Sequence, residues 1–286
     1  MNARAQRWLA PRRAQALARF VLWSLMAVAI GILILILAFV LGRGLRHVTW
    51  TFLTAMPLDS GRAGGVLPIV VGTLEVTALG VAAATPLGVG TAIYLVEYTR
   101  EGRLTRIIRF GAECLAGVPS IIFGLFGFVL FVLTLGLGWS ILAAGLTLAF
   151  MTLPTLIRTS EEALRAVPAR YLDVSLSLGA TKWQSIRKVL LPAAFPGILT
   201  GLILGIGRAI GETAAVIFTA GSSLPHRIPR SLSEGTRTLS VHFYQLAREG
   251  ISADNAYATA AVLVLAISLI NLGAYITLNR FMRRYR

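Results

Sequence analysis

The sequence predicts an all-α, polytopic membrane protein with six transmembrane helices. Of its 286 residues, 56% are hydrophobic and only 14% are charged, and the mean hydropathy is +0.75. A soluble domain of this length carries more charge, so the composition favours a chain that crosses a membrane several times. Apolar segments long enough to span the hydrocarbon core recur along the chain and give the count of six.

The first span is predicted from Phe20 to Leu41, an apolar segment without a charge. As a helix it is about 33 Å long, enough to cross the hydrocarbon core. A signal peptide has a similar basic start, but its apolar core is only about 7–15 residues long. We therefore expect residues 1–19 to form a cytoplasmic N-terminal tail and residues 20–286 to form the transmembrane domain.

Five further apolar segments complete the predicted bundle. The first of them contains Glu75 as its one interior charge, and a basic loop with four arginines separates it from the next. The longest polar connection on the same side of the membrane, residues 158–192, lies between the fourth and fifth spans. The five segments lie near residues 66–96, 112–133, 141–157, 193–220 and 257–278.

The net charge of +15 also occurs in nucleic-acid-binding proteins, but here the basic residues lie at the ends of the spans. Membrane topology and anionic lipid account for charge in those places, so we expect membrane lipid and no nucleic acid as a partner. With both termini and the 98–110 and 158–192 loops in the cytoplasm, 19 basic residues lie inside and 7 outside. This asymmetry satisfies the positive-inside rule.

No motif predicts catalysis by this chain. A phosphate-binding loop of the form G-x4-G-K-[ST] is absent, so the chain does not bind ATP by that mechanism. His47, His226 and His242 are scattered through the outer connections, and the single cysteine, Cys114, excludes an intramolecular disulfide. We expect no catalytic residue, no metal and no cofactor bound by this chain.

The polar stretch from Ala163 to Thr200 has the composition of ordered helices. Gly179 is expected to break a first helix, and Thr181 to be the N-cap of a second helix that begins at Lys182 and ends at Leu191-Pro192. The first helix is predicted to place four apolar residues on one face: Tyr171, Leu172, Leu176 and Leu178. A helix–glycine–helix on the surface of a membrane protein is suited to docking a soluble partner.

The same stretch matches the loop pattern E-A-A-x3-G-x9-I-x-L-P of permease subunits in ABC importers. Asp173-Val174-Ser175 takes the place of E-A-A, and Gly179 and Leu191-Pro192 match the pattern. Val189 stands for the isoleucine, and Ala180 follows the glycine. We therefore predict that five residues couple the chain to an ATPase: Asp173, Gly179, Ala180, Leu191 and Pro192.

Four segments extend this resemblance over roughly residues 65–282. They are GVPSIIFGLFG, LPTLIRTSEEALRAVP, LGATKWQSIRKVLLPAAFPGILTG and GRAIGETAAVIFTAG. Together they resemble the permeases of phosphate importers, most closely the PstA type. The resemblance implies the type I ABC importer permease fold in a bacterial inner membrane. It also implies a PstC-type sister permease, a PstB-type ATPase dimer that uses the ATP, and a periplasmic PstS-type phosphate-binding protein.

The substrate stays open on the residues alone. A permease for another oxyanion, such as molybdate, sulfate or phosphonate, has the same local physics, and only the resemblance favours inorganic phosphate. An ion-coupled carrier is the alternative from another class, but such a carrier has no need for a docking helix in its central loop.

Arg208 and Glu212 are the strongest chemical signal inside a predicted span. They lie four residues apart on an expected helix, where they would share a face and pair. A charge at the centre of a membrane costs about 2.5–3.5 kcal/mol or more, so such residues usually face a cavity or a partner. Arginine suits a phosphate oxyanion. A translocation-path or gating pair and a structural ion pair both remain open, and Glu75 and Thr213 are candidates for the same path.

Small residues are expected to set the packing of two spans. Three glycines and a proline in GVPSIIFGLFG predict close helix approach and a local kink. Gly201-x3-Gly205 and Gly207-x3-Gly211 predict a packing face on the fifth span, for helices of this chain or of a partner permease.

Overall fold

The computed structural model describes residues 11–284, with gaps at residues 101 and 226. His226 and residues 1–10 of the predicted tail therefore lie outside the described residues. Residues 11–19 belong to the same continuous helix as the first span. The fold is a helical bundle with one minimal hairpin, in which β1 (Pro57–Leu58) pairs antiparallel with β2 (Ala63–Gly64).

Most of the helices are joined by short connections, but residues 220–238 separate α10 from α11. The first half contains α1 (Pro11–Gly44), α2 (Trp50–Thr54), α3 (Leu67–Ile93) with a π-turn over Tyr94–Tyr98, α4 (Arg103–Ala116), and α5 (Ser120–Gly127) with a π-turn over Phe128–Thr134. The second half contains α6 (Ile141–Arg165), α7 (Arg170–Ser177), α8 (Lys182–Ser185) with a π-turn over Ile186–Leu190, α9 (Leu191–Gly211), α10 (Ala214–Thr219), α11 (Leu239–Arg248) and α12 (Ala253–Arg284).

Five of the described helices are long and apolar enough to cross a membrane, and the count rises to six if one bent pair of helices is a single span. The five cover residues 15–44, 67–98, 141–165, 182–211 and 253–280. The bent pair consists of α4 and the segment Ser120–Thr134, which meet at 102°. Counted as one span, this pair gives the six predicted crossings.

Helices α3 and α6 form the centre of the bundle. A Cβ added at Gly145 of α6 would lie 2.6 Å from the Leu79 side chain, so only glycine allows this approach of the two helices. Val76 and Leu148 pack there in an apolar cluster that α9 and α10 complete through Ala209 and Val216. Helix α1 lies at the edge of the bundle and packs against α12.

Three predicted boundaries are wrong. The third span is not one helix over residues 112–133, because Pro119 lacks an N–H and begins a new helix after Gly117. The loop arginines Arg103, Arg106 and Arg109 lie instead on α4. The fourth helix continues to Arg165 rather than ending at residue 157, and the fifth span, predicted over residues 193–220, is interrupted after Gly211.

Candidate functional site

The turn between α7 and α8 is built around Gly179. Its φ of +84° lies in the left-handed region that favours glycine. The Gly179 N–H donates to the Leu176 carbonyl at 2.9 Å, and the Ala180 N–H donates to the Ser175 carbonyl at 3.2 Å. These two bonds form a Schellman motif, which satisfies the last carbonyls of α7 and turns the chain sharply. The predicted helix break at Gly179 is confirmed.

The start of α8 is also as predicted. The Thr181 hydroxyl accepts from the Gln184 N–H at 3.3 Å, and the Gln184 side chain accepts from the Thr181 N–H at 2.9 Å. This capping box satisfies two N–H groups that the helix itself leaves unpaired, so the helix begins at Lys182. The end predicted at Leu191-Pro192 is wrong, because a π-turn over Ile186–Leu190 leads directly into α9. The wider turn accommodates a proline that cannot donate a hydrogen bond.

The apolar face predicted for α7 is wrong. Leu172 and Ser175 are partly buried on the inner side, whereas three apolar side chains one or two turns apart point outward. These three, which we call the outer face of α7, are Tyr171 (48% exposed), Val174 (60%) and Leu178 (83%). Asp173 is exposed as well. An unpartnered apolar face on a short helix at the end of a bundle is suited to a protein partner.

One polar contact holds α7 and α8 together, and a second joins the element to a span. The hydroxyls of Ser175 in α7 and Ser185 in α8 are 2.9 Å apart and share a hydrogen bond. Lys182 reaches the π-turn at the C-terminal end of α3, where its Nζ lies 3.7 Å from the Glu97 carboxylate and donates to the Glu97 carbonyl. The same ammonium lies 5.1 Å from the centre of the Tyr98 ring. Sequence reasoning missed these contacts, because their partners are far apart in the chain.

An apolar cluster beneath the element continues the connection. Its buried members come from the C-terminal ends of α3 and α6, the N-terminal half of α9 and the π-turn before α9 (Ala92, Ile93, Leu164, Ile186, Leu190, Ala194 and Ile198). Leu172 of α7 packs against this cluster from the surface. Leu172 therefore connects α7 to three spans through apolar packing.

The second candidate region is the interruption of the fifth span. Helix α9 ends at Gly211, and Glu212 has the extended conformation with ψ of 128°. The expectation that Arg208 and Glu212 share a helical face is therefore wrong, and no ion pair joins these two described side chains. Arg208 is exposed on α9, whereas Glu212 is partly buried.

Glu212 instead holds three segments together. Its carboxylate accepts from the Ala215 N–H at 3.3 Å and so satisfies the start of α10. Its backbone carbonyl, which the interrupted helix leaves free, accepts from the Ser240 hydroxyl of α11 at 2.6 Å. Thr213 lies at the same break, and its hydroxyl donates to the Gly211 carbonyl at 3.5 Å.

The break after Gly211 meets the glycine-rich segment of α5. A Cβ added at Gly124 would lie 2.9 Å from the Ala214 carbonyl oxygen and from the Ala215 Cα, so the two short helices are in backbone contact. Gly127 packs closely against the side chain of Thr147 in α6. The close approach predicted for this motif is confirmed at both glycines.

Glu75 and Asn271 carry buried oxygens without a hydrogen-bond partner. The Glu75 Oε2 and Asn271 Oδ1 atoms are enclosed and unsatisfied. Val76 follows Glu75 in the chain and Ala209 follows Arg208, and both pack in one apolar cluster. Glu75 and Arg208 therefore belong to the same region of the bundle. Sequence reasoning missed Asn271, although a single asparagine in the apolar sixth span was a usable signal.

The predicted packing face on the fifth span is confirmed only in part. A side chain at Gly201 would collide with Thr159 of α6. Gly205 and Gly211 have no atom of this chain within 4 Å of an added Cβ. At Gly207 an added Cβ would be in ordinary contact with the Asn271 amide, at 3.9 Å. No described group of three His, Cys, Asp or Glu residues is placed to hold a metal ion.

Broken membrane helices and a helix–glycine–helix element at one end of the bundle are typical of a permease, the membrane component of a transport system. The family described as "Binding-protein-dependent transport system inner membrane component" matches residues 84–286. The chain belongs to this family and is a multi-pass inner membrane protein.

Several curated relatives cover most of the chain. It is 37% identical over 249 residues to the "Phosphate transport system permease protein PstA 1" of Mycobacterium tuberculosis, covering 85% of this chain and 81% of the relative. It is 32% identical over 255 residues to PstA of Haemophilus influenzae, covering 87% and 89%. A "Probable ABC transporter permease protein YqgI" of Bacillus subtilis is 31% identical over 262 residues, covering 87% and 89%. The resemblance to PstA-type permeases is confirmed.

Solved structures show the same fold at low identity. A chain of a bacterial ABC transporter for import of the polysaccharide alginate has a TM-score of 0.66 at 17% identity, covering 94% of this chain and 99% of its own. A chain of the MetNI methionine ABC transporter in an inward-facing conformation has a TM-score of 0.63 at 23% identity, covering 76% and 95%. The predicted all-α importer-permease fold is confirmed.

Proposed function

We propose that this chain is a permease subunit through which an ATP-driven importer moves inorganic phosphate into the cytoplasm. The observation that carries the proposal is the match, over most of the chain, to relatives named as phosphate transport permeases. The helix–glycine–helix element of α7, Gly179 and α8, which we call the docking element, supports the dependence on a separate ATPase. The chain itself binds no metal or cofactor in this proposal, and ATP is used by its partners.

The complete importer contains four kinds of subunit in this proposal. They are this chain, a PstC-type sister permease, a PstB-type ATPase dimer and a periplasmic PstS-type phosphate-binding protein. Both termini and residues 158–192 face the cytoplasm, which the asymmetry of 19 basic residues inside against 7 outside supports. The outer face of α7 then lies on the side where an ATPase uses ATP.

Transport follows from movement of the docking element. Closure of the ATPase dimer on ATP displaces the outer face of α7, and the contacts of Ser175 and Lys182 carry that displacement to α9 and α3. Two arrangements of the bundle, open to one side or the other, give alternating access. The five residues predicted to couple the chain to the ATPase keep this role in the proposal. Pro192, however, lies within a continuous helix rather than at its end.

Arg208, Glu212, Thr213 and Glu75 are proposed as residues of the path or its gate. Arg208 is exposed on α9, next to the open glycine surface at Gly205 and Gly211, so in the complex it faces the sister permease and the path between the two. Glu212 and Thr213 form the joint between α9 and α10, where a change of angle would open or close one side.

Uptake into proteoliposomes tests the proposal. The assembled complex with its binding protein is reconstituted, and uptake of radiolabelled phosphate is measured with ATP, without ATP, and with excess molybdate, sulfate or phosphonate. We expect ATP-dependent uptake that unlabelled phosphate alone suppresses. Suppression by another oxyanion assigns the substrate to that oxyanion, and uptake driven by an ion gradient without ATP would establish a carrier.

A further inference from the structure

Helix α4 is strongly amphipathic. Leu104 (60% exposed), Ile107 (65%) and Leu115 (48%) form one apolar stripe that no other described part of the chain covers. The opposite side packs on α6, where the Arg109 guanidinium lies 2.8 Å from the Glu161 carboxylate. The helix is thus fixed along one side and presents an apolar stripe on the other.

The depth of α4 follows from this ion pair. Glu161 lies twenty residues after Ile141, the first residue of α6. At 1.5 Å per residue this is about 30 Å, the thickness of the hydrocarbon core, so the pair lies at a boundary of the membrane. Because α4 meets the Ser120–Thr134 segment at 102°, it runs close to the membrane plane when that segment crosses.

Exposed arginines flank the stripe. Arg103 and Arg106 lie on the first two turns of α4, on the side between its apolar stripe and its contact with α6. Neither guanidinium forms an ion pair with a carboxylate in the described part of the chain. Phe110 (66% exposed) extends the apolar surface on the same side of the helix. An apolar face bordered by arginine is the pattern of a helix that lies in a membrane interface.

We propose that α4 lies in the interface of the bilayer, with Leu104, Ile107 and Leu115 among the acyl chains and Arg103 and Arg106 on the headgroups of anionic phospholipids. The occupant of this face is the lipid surface rather than another protein. Its depth matches the membrane boundary, its axis lies near the membrane plane, and its cations complement anionic headgroups.

The native Cys114 is a suitable probe, since it is exposed and lies two helical turns from Ile107 on the same face. A fluorophore is attached there in the assembled complex, after any reactive cysteines of the other subunits are replaced. The complex is reconstituted in phosphatidylcholine–phosphatidylglycerol vesicles of fixed composition, with bromine on the acyl chains of one lipid or the other at equal mole fraction.

We expect both brominated lipids to quench the fluorophore, and brominated phosphatidylglycerol to quench it at least about twofold more, since one surface arginine can enrich anionic lipid up to about fivefold. The double variant R103Q/R106Q should bring the quenching ratio close to one. The matched control R46Q/R230Q removes two exposed arginines from the outer connections and should leave the ratio unchanged.

Three results would overturn the proposal. Absence of quenching by either lipid means that water or another subunit covers the face. Equal quenching by both lipids removes the selection of anionic headgroups. An unchanged ratio in R103Q/R106Q removes these arginines as its cause. None of these readouts depends on phosphate uptake, so the lipid proposal and the proposed function fail separately.

Discussion

Substitution of Gly179 tests whether the turn after α7 couples the permease to its ATPase. The residue has φ of +84°, and an added Cβ would meet no atom within 4 Å. Any effect of a side chain there is therefore conformational rather than steric. The series Gly179→Asn, Gly179→Ala and Gly179→Val raises the conformational strain stepwise, because asparagine tolerates the left-handed region and a β-branched residue tolerates it least.

The expected magnitude follows from the cost of the left-handed conformation. For a residue with a Cβ it is roughly 1–2 kcal/mol, and more for valine. A penalty of this size lowers the population of the intact turn by about 5–30-fold relative to its alternatives. We expect Gly179→Asn to remain near normal, Gly179→Ala to lose part of its coupling and Gly179→Val to lose most of it.

The assay combines co-purification of the ATPase, ATP hydrolysis by the complex and phosphate uptake in proteoliposomes. Gly250 is a matched control, since its φ is +64° and its added Cβ would also meet nothing within 4 Å. It follows α11 in a comparable turn, in which the Ile251 N–H donates to the Leu246 carbonyl at 3.2 Å. Gly250→Val carries similar strain far from the docking element, so it should leave ATPase binding intact.

Two outcomes would refute this reasoning. If Gly179→Val keeps normal uptake and normal ATPase co-purification, the turn does not present α7 to the partner. If Gly250→Val releases the ATPase as fully as Gly179→Val, general destabilisation explains the loss.

Three further predictions concern other contacts. Lys182→Met should reduce phosphate uptake more than ATP hydrolysis, because the contact with Glu97 is lost, and exchanging the two residues between positions 182 and 97 should restore part of the uptake. Equal loss of uptake and ATP hydrolysis in Lys182→Met would contradict this prediction. Glu212→Ala should lower the melting temperature, because it removes the acceptor of the Ala215 N–H, a hydrogen bond that contributes about 0.5–1.5 kcal/mol, whereas Glu212→Gln keeps an acceptor. Equal loss of phosphate uptake in the two variants would show that the path requires the charge of the carboxylate. Burial of the His242 ring and, to a smaller extent, the nearby charge of Arg237 lower the pKa of His242 to about 3. The unfolded chain therefore binds a proton that the folded chain does not, and the free energy of unfolding should fall by up to about 1.4 kcal/mol per pH unit as pH drops from about 6.5 toward 3. His242→Asn should flatten this dependence in thermal unfolding at pH 7 and pH 5.

The elements that follow from local chemistry could be predicted from the sequence. The break at Gly179 and the start of the helix at Lys182 depend on a glycine and on the Thr181–Gln184 pair, all within six residues. The number of spans follows from hydropathy, which needs no knowledge of packing.

The boundaries that depend on distant contacts could not be predicted. Pro192 normally signals a helix end, but here a π-turn stabilised by the cluster around Ile186 and Leu190 carries the helix past it. Glu212 was placed on a helix because its neighbours are apolar and favour one. Its carbonyl is satisfied instead by Ser240, which lies 28 residues further along the chain, and no local pattern encodes that bond.

The inner side of α7 was mispredicted for a related reason. Composition identifies apolar residues but does not tell which of them a partner will cover. Leu172 is used for the chain's own core, and Tyr171, Val174 and Leu178 are left outside. The same ambiguity explains why α4 was not predicted. Its arginines suggested a loop, and its last residues were assigned to the following span.

The two broken spans form one structural unit. The break before Ser120 and the break after Gly211 lie on different spans, yet the short helices that follow them meet at Gly124, where backbone contacts backbone. Packing this close resists relative sliding, so α5 and α10 move together when either moves. The helix breaks themselves lie at Gly117 and Glu212, outside the contact. In the proposed mechanism, a displacement of α9 by the docking element therefore becomes a change of angle at Glu212 against the α5–α10 pair.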